Sequence, residues 1–143
     1  MIRVPNWDNC LVEWAAVQVG RPFAWGTADC ATLLREGLVV MYGQDHLPPV
    51  AGYMNLLAAR RRLEAVGGVA HQLMLLGAVS YPAEFSQTGD VLIIPEFGEG
   101  ETVLVALVVR ARMLTTFHDS AAELLPLPQP GQGLTVLRMP HGR

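Results

Sequence analysis

Two cysteines and four histidines are the side chains best suited to nucleophilic or metal chemistry in this sequence. Cys30 stands out by its setting. It follows Gly26, Thr27 and Asp29, residue types of turns and helix caps, and it opens a helix predicted over residues 30–42. At such a position, unpaired backbone N–H groups and the positive end of the helix dipole favour a thiolate over a thiol. The thiolate is the form a cysteine nucleophile needs. Burial against apolar neighbours pushes the other way, and a small buried cysteine is also an ordinary core residue. Both readings stay open on these residues alone. A Cys10–Cys30 disulfide is not expected, because small disulfide-stapled folds carry denser cysteine frameworks. His46 precedes Pro48-Pro49, His71 falls on a short predicted helix, His118 follows a predicted strand and His141 lies in the tail. No C-x-x-C or H-x-x-x-H spacing exists, so no metal site is expected. Neither G-x-G-x-x-G nor a P-loop occurs, so no nucleotide cofactor is expected. Trp7, Trp14 and Trp25 read as walls of a core or groove.

The elements that must position these residues are legible from periodicity and punctuation. Asn6 is placed to cap a first helix over 7–19, with Trp7, Cys10, Leu11, Trp14, Ala15 and Gln18 at helical spacing and Gly20 beyond its end. A loop dense in aromatics and turn formers follows. Asp29 caps the second helix, whose buried side is Leu33, Leu34, Gly37, Leu38 and Met41, and Gly43 ends it. Residues 46–53 are a loop, by Pro48-Pro49 and Gly52. Helices follow over 54–66 and 69–76. The run Arg60-Arg61-Arg62 reads as a solvated helix face before it reads as a contact patch for an acidic partner. After Pro82 the texture changes. Val91-Leu92-Ile93-Ile94 is a buried strand launched by Gly89-Asp90. A turn at 97–100 leads to strands at 102–109 and 113–117 through a tight Arg110-Ala111-Arg112 turn. Residues 125–132 read as a Pro/Gly loop and 134–139 as a last strand. Helices first and an antiparallel meander afterwards is an α+β order.

Composition narrows the classes. The chain has 143 residues, which makes one domain over 1–143. It is 51% hydrophobic and 16% charged, with a mean hydropathy of +0.30, which excludes intrinsic disorder. Few charges cover the surface, so part of it is expected to meet partners. A net charge of −3 argues against a free-standing nucleic-acid binder. All the basic residues are Arg, as a GC-rich coding sequence would give. The longest apolar runs fall well short of the ~20 residues a membrane-spanning helix needs. Pro5, Trp7 and Asp8 stand where a signal peptide would have its apolar stretch, so synthesis in the cytoplasm without Sec export is expected.

Phe23-Ala24-Trp25-Gly26, Asp29-Cys30-Ala31 and Leu33-Leu34 together resemble the nucleophile motif of the NlpC-type cell-wall peptidases, which are papain-like cysteine enzymes. Val19-Gly20-Arg21-Pro22 is similar to that family's Gly-x-Pro approach, and Gly89-Asp90-Val91-Leu92 to the start of its first core strand. The resemblance extends over about residues 7–139. It implies a papain-like α+β fold with N-terminal helices packed on a C-terminal antiparallel sheet. It implies Cys30 as nucleophile, in a groove formed with Trp25, Gly26 and Asp29. Val105-Ala106-Leu107-Val108 resembles the family's Val-Gly-Ile-Tyr segment, which a catalytic His precedes. Here Leu104 precedes it, and leucine cannot transfer a proton. Thr116-Phe117-His118 resembles the segment that supplies the residue orienting that His. A shift of register would let His118 reach Cys30 directly and serve as the second catalytic residue, with a solvent-facing turn residue as the plain alternative.

Two functions follow from this resemblance. Small relatives of these peptidases occur in phage, prophage and gene-transfer-agent tail clusters. The first expectation is thus a virion protein of a tail tip or baseplate hub, made in the host cytoplasm. It would have an inactive peptidase fold and other tail proteins as partners. The alternative is an active cysteine peptidase or amidase that cuts peptidoglycan stem peptides during DNA entry. In that case Cys30 attacks, His118 is the base and backbone N–H groups hold the oxyanion. A cytosolic binding module that keeps the groove for a ligand is a third reading.

Overall fold

The computed structural model describes residues 1–47, 55–65, 67–95, 103–117, 120–131 and 134–141. The two helices nearest the cysteine come first: α1, Trp7–Gln18, and α2, Cys30–Tyr42. Leu11 and Ala15 are the fully buried residues of α1, whereas Cys10 is exposed. Asn6 sits at the start of α1 as expected, but at φ 55 its side chain makes no capping bond. Asp29 does cap α2, accepting from the Thr32 N–H, and Gly43 closes it by donating its N–H to Val39. Leu33, Leu34, Leu38 and Met41 form the buried stripe of α2, at most 2% exposed. Helices α3, Leu56–Ala65, and α4, Val69–Leu75, follow, and Arg61 and Arg62 on α3 are exposed.

The strands are β1, Val79–Tyr81; β2, Val91–Pro95; β3, Val103–Val109; β4, Arg112–Thr115; β5, Glu123–Pro126; and β6, Thr135–Arg138. They form one antiparallel sheet in the order β1-β6-β2-β3-β4-β5. The architecture is α+β, with helices packed on an antiparallel sheet. Strands β2, β3 and β4 make the expected meander, and β5 extends it. The chain then returns to set β6 beside β2, with β1 outside it. Two strands depart from the sequence reading. β1 precedes Gly89, and β5 occupies the start of the segment read as a Pro/Gly loop. Pro126 is tolerated because β5 is an edge strand, where a missing N–H costs no ladder bond.

The core is divided by the sheet. Val105, Leu107 and Val109 of β3 join Leu11, Leu34, Leu38 and Met41 in the larger cluster, on the helix side. Leu92, Ala106, Val108, Met113 and Val136 form a smaller cluster on the other face. Alternate residues of β3 thus serve opposite cores, which explains a strand apolar at every position. Two glycines permit the close approaches. A Cβ on Gly37 of α2 would lie 2.5 Å from Leu107 and 3.1 Å from Trp14, so glycine lets α2 seat on both β3 and α1. Gly89, at φ +93, would place a Cβ 2.9 Å from Met41 and 3.0 Å from Trp7. The next residue, Asp90, is 1% exposed and pairs with Arg138 through two 3.0 Å hydrogen bonds, joining the start of β2 to β6. The residues of the Gly89-Asp90 step therefore have a structural role at this position.

Candidate functional site

Cys30 is the first residue of α2, half-buried, and it packs against the larger core cluster together with Trp25. The loop before it is held from several directions. Asp29 is 3% exposed, and its two carboxylate oxygens are spent on different segments. One accepts from the Thr32 N–H at 2.8 Å, the other from the Gly26 N–H at 2.8 Å. One residue thus caps the helix and fixes the preceding turn, so Trp25-Gly26 is tied to the helix start. Ala24 and Ala28 form a further bridge across that turn. Phe23 meets Trp25 edge-on at 4.8 Å. Arg21 reaches Glu36 on α2 at 2.8 Å and the Thr27 carbonyl at 2.6 Å, bracing the outside of the loop.

The segment after β4 is joined to this loop by backbone bonds. Gly20 N–H donates to Ala122 and Ala122 N–H donates to Arg21, at 2.8 and 2.9 Å. Phe23 N–H donates to Ser120 at 2.9 Å, and Pro22 and Ala121 form an isolated antiparallel bridge. His118, expected from the sequence as the second catalytic residue, lies outside the described residues. Ser120 is bonded to the loop that leads to Cys30.

Trp25, Gly26 and Asp29 lie in the loop that runs into Cys30, and Asp29 ties that loop to the start of α2. Leu104 is the second residue of β3. It is buried on β3 at 4% exposure, and regular pairing with β2 puts Ile94 opposite it. By the two-residue period it shares a face with Ala106 and Val108, away from the helix side where Val105 and Leu107 pack. The parity was countable in the sequence once Leu107 was known to meet α2. His46 meets Tyr42 edge-on at 5.9 Å, at the opposite end of α2 from Cys30, about 18 Å along the helix axis. His141 meets Trp7 at 5.9 Å, and His71 packs beside Gly67.

Two buried threonines were not singled out in the sequence. Thr32, in the first turn of α2, and Thr116, just past β4, are 5% and 1% exposed. Neither hydroxyl makes a hydrogen bond. Leu114, two residues before Thr116, faces the helix-side core. Only burial identifies these two threonines, and an isolated Thr in an apolar stretch gives no signal of it. Cys10 and Cys30 are not joined in a disulfide. Among the described residues no group of three or more His, Cys, Asp or Glu is placed to hold a metal ion, and no helix is long and apolar enough to cross a membrane.

A family model described as "Domain of unknown function (DUF6950)" matches residues 2–132. No curated protein matches the chain significantly. Among solved structures it is similar to RipD from Mycobacterium tuberculosis, described as "a non-catalytic NlpC/p60 domain protein, adaptation to peptidoglycan-binding function". That similarity has 15% identity and a TM-score of 0.49, over 94% of this chain and 98% of the other. The chain is also similar to the P60 domain of an M. avium paratuberculosis antigen, at 14% identity and a TM-score of 0.47, over 94% and 93% of the two chains.

Proposed function

The chain belongs to the family described as "Domain of unknown function (DUF6950)", and from that premise we propose that it is an NlpC-type, papain-like domain that acts through its surface as a component of a phage-like tail. The NlpC-type reading rests on the motif around Cys30 and on the capped helix start that presents it. In this reading Asp29 and Gly26 fix the Trp25-Gly26 turn to the start of α2, and no hydrolysis takes place. The observation that carries it is an exposed apolar edge. Val79, Tyr81 and Phe85 are 58%, 40% and 64% exposed around β1, and Met74 and Leu75 on α4 are 51% and 67% exposed. Exposed apolar and aromatic side chains on the successive segments α4, β1 and 83–85 suit a subunit packed against neighbours. Leu127 is not part of that edge, since it packs against the smaller core cluster. The test is made in particles. Cys30→Ala is expected to leave assembly and infectivity near wild type, and Phe85→Asp to impair incorporation. Normal incorporation of Phe85→Asp would remove the support for a surface role.

A second reading is favoured by a separate observation, the backbone pairing of residues 20–23 with 120–122. That pairing suits a cysteine peptidase or amidase acting on peptidoglycan stem peptides, with Cys30 as nucleophile and His118 as base. Particles carrying Cys30→Ala that assemble normally but fail to deliver DNA would favour it.

A further inference from the structure

At the opposite end of α2 from Cys30, a cavity of about 320 Å³ opens between the start of α1, the β3–β4 turn and the C-terminal tail. Its volume falls in the range of small-molecule sites. Arg3, Trp7, Asp8, Val12, Arg110 and His141 are among its walls. Arg3 lies over the Trp7 ring at 4.1 Å and donates to the Tyr42 hydroxyl and the Met139 carbonyl. These contacts fix the guanidinium without neutralising it. Neither Arg3 nor Arg110 is ion-paired among the described residues. The protein as a whole is net negative, at −3, whereas this wall carries two guanidiniums and one carboxylate, that of Asp8.

Arg110 adds an independent observation. It stands at φ 47 in the tight turn between β3 and β4, a conformation that favours Asn or Gly. Thr88 holds it there, its hydroxyl oxygen accepting from the Arg110 N–H at 2.9 Å. A long cationic side chain is thus kept at a backbone position that disfavours it, on the rim of a cavity. Ala111 shares this conformation at φ 42, so what distinguishes Arg110 is the position of its guanidinium on the rim.

The wall chemistry selects the ligand class. Guanidinium groups recognise carboxylates through paired N–H donors. Asp8, in the same wall, repels a polyanion such as phosphate and attracts an ammonium. Trp7 and Val12 offer apolar surface. We propose that this cavity binds a short zwitterionic peptide of dipeptide size, its carboxylate on Arg3 and Arg110, its ammonium at Asp8 and its side chain against Trp7 and Val12. The inference does not rest on any role for Cys30.

The test is a titration of the full chain with dialanine, followed by the indole N–H resonances of Trp7 and Trp25. Saturable movement of the Trp7 signal with Trp25 unmoved is expected. Dialanine acetylated at its amine and amidated at its carboxyl should bind at least about tenfold more weakly. Arg110→Gly and Arg110→Asn both suit a left-handed turn. They should keep or raise the melting temperature while weakening dialanine binding by a similar factor. Four results would each overturn the proposal. They are equal affinity for the doubly capped peptide, tighter binding of inorganic phosphate, unchanged binding in a folded Arg110 variant, and no saturable response of Trp7.

Discussion

Asp29 determines the geometry around Cys30 more than Cys30 itself does. Its two oxygens hold the turn at Gly26 and the helix start at Thr32, each at 2.8 Å, in a nearly water-free position. Replacing it with Ala removes the cap and leaves two buried N–H groups without acceptors. The expected cost is about 2–3 kcal/mol, from a lost cap and an unsatisfied buried donor. Chemical denaturation should show this as a lower midpoint, and Trp25 fluorescence should change as the turn relaxes. Asp29→Asn should lose less, because its amide oxygen can still accept one of the two bonds. Equal stability of Asp29→Ala and the wild type would mean that the cap is not holding the site. At this scale much of the site was legible. Asp29, Cys30 and the Trp25-Gly26 turn stand together in sequence, and local residue types specify local geometry. The facing of Leu104 and the burial of Thr116 were not legible, because both depend on which face of a strand the helices cover.

At the scale of elements, α2 and the β3–β4 hairpin contrast in how well sequence meets structure. Asp29 and Gly43 mark both ends of α2, and its observed bounds, Cys30–Tyr42, coincide with the expected 30–42. The hairpin is strained. Arg110 and Ala111 both have positive φ, at 47° and 42°, where a side chain crowds the backbone. Ala111→Gly is therefore expected to stabilise the protein by about 1 kcal/mol, visible as a higher melting temperature. A lower melting temperature would contradict this account of the turn. The link from α2 to the following loop carries a pH dependence. Asp45 is held below its ordinary value of 3.8, first by its hydrogen bond from Arg35. A lowered folded value means the contribution is full above the unfolded value and is lost as pH falls through the folded one. Both side chains are about a third exposed, at 26% and 34%, so the contribution is under about 1 kcal/mol. Asp45→Asn should flatten the stability profile below about pH 4 and change little at pH 7. The missed strands have simple causes. β1 is three residues long between Gly77 and Pro82, and β5 ends in a proline that an edge strand tolerates.

At the scale of the molecule, the sheet organises two cores, and the helices cover only one of them. A short 3-10 turn at Ala83–Phe85 and the segments holding Leu127 and Leu134 pack against the smaller one. The α+β order was readable because helical and strand periodicities occupy different halves of the chain. The return of β6 to the side of β2 was not, because strand order is a long-range property that no local pattern encodes. The same divided plan keeps the Cys30 turn joined to residues 120–122 while leaving an apolar edge at β1. The central claim is that this chain works through its surface, with Cys30 kept as a structural residue. It is tested most directly by incubating purified protein with peptidoglycan and assaying soluble stem peptides by mass spectrometry, with Cys30→Ala in parallel. The account predicts no release above the buffer control from either protein. Release by the wild type that disappears in Cys30→Ala would contradict it and establish the peptidase instead.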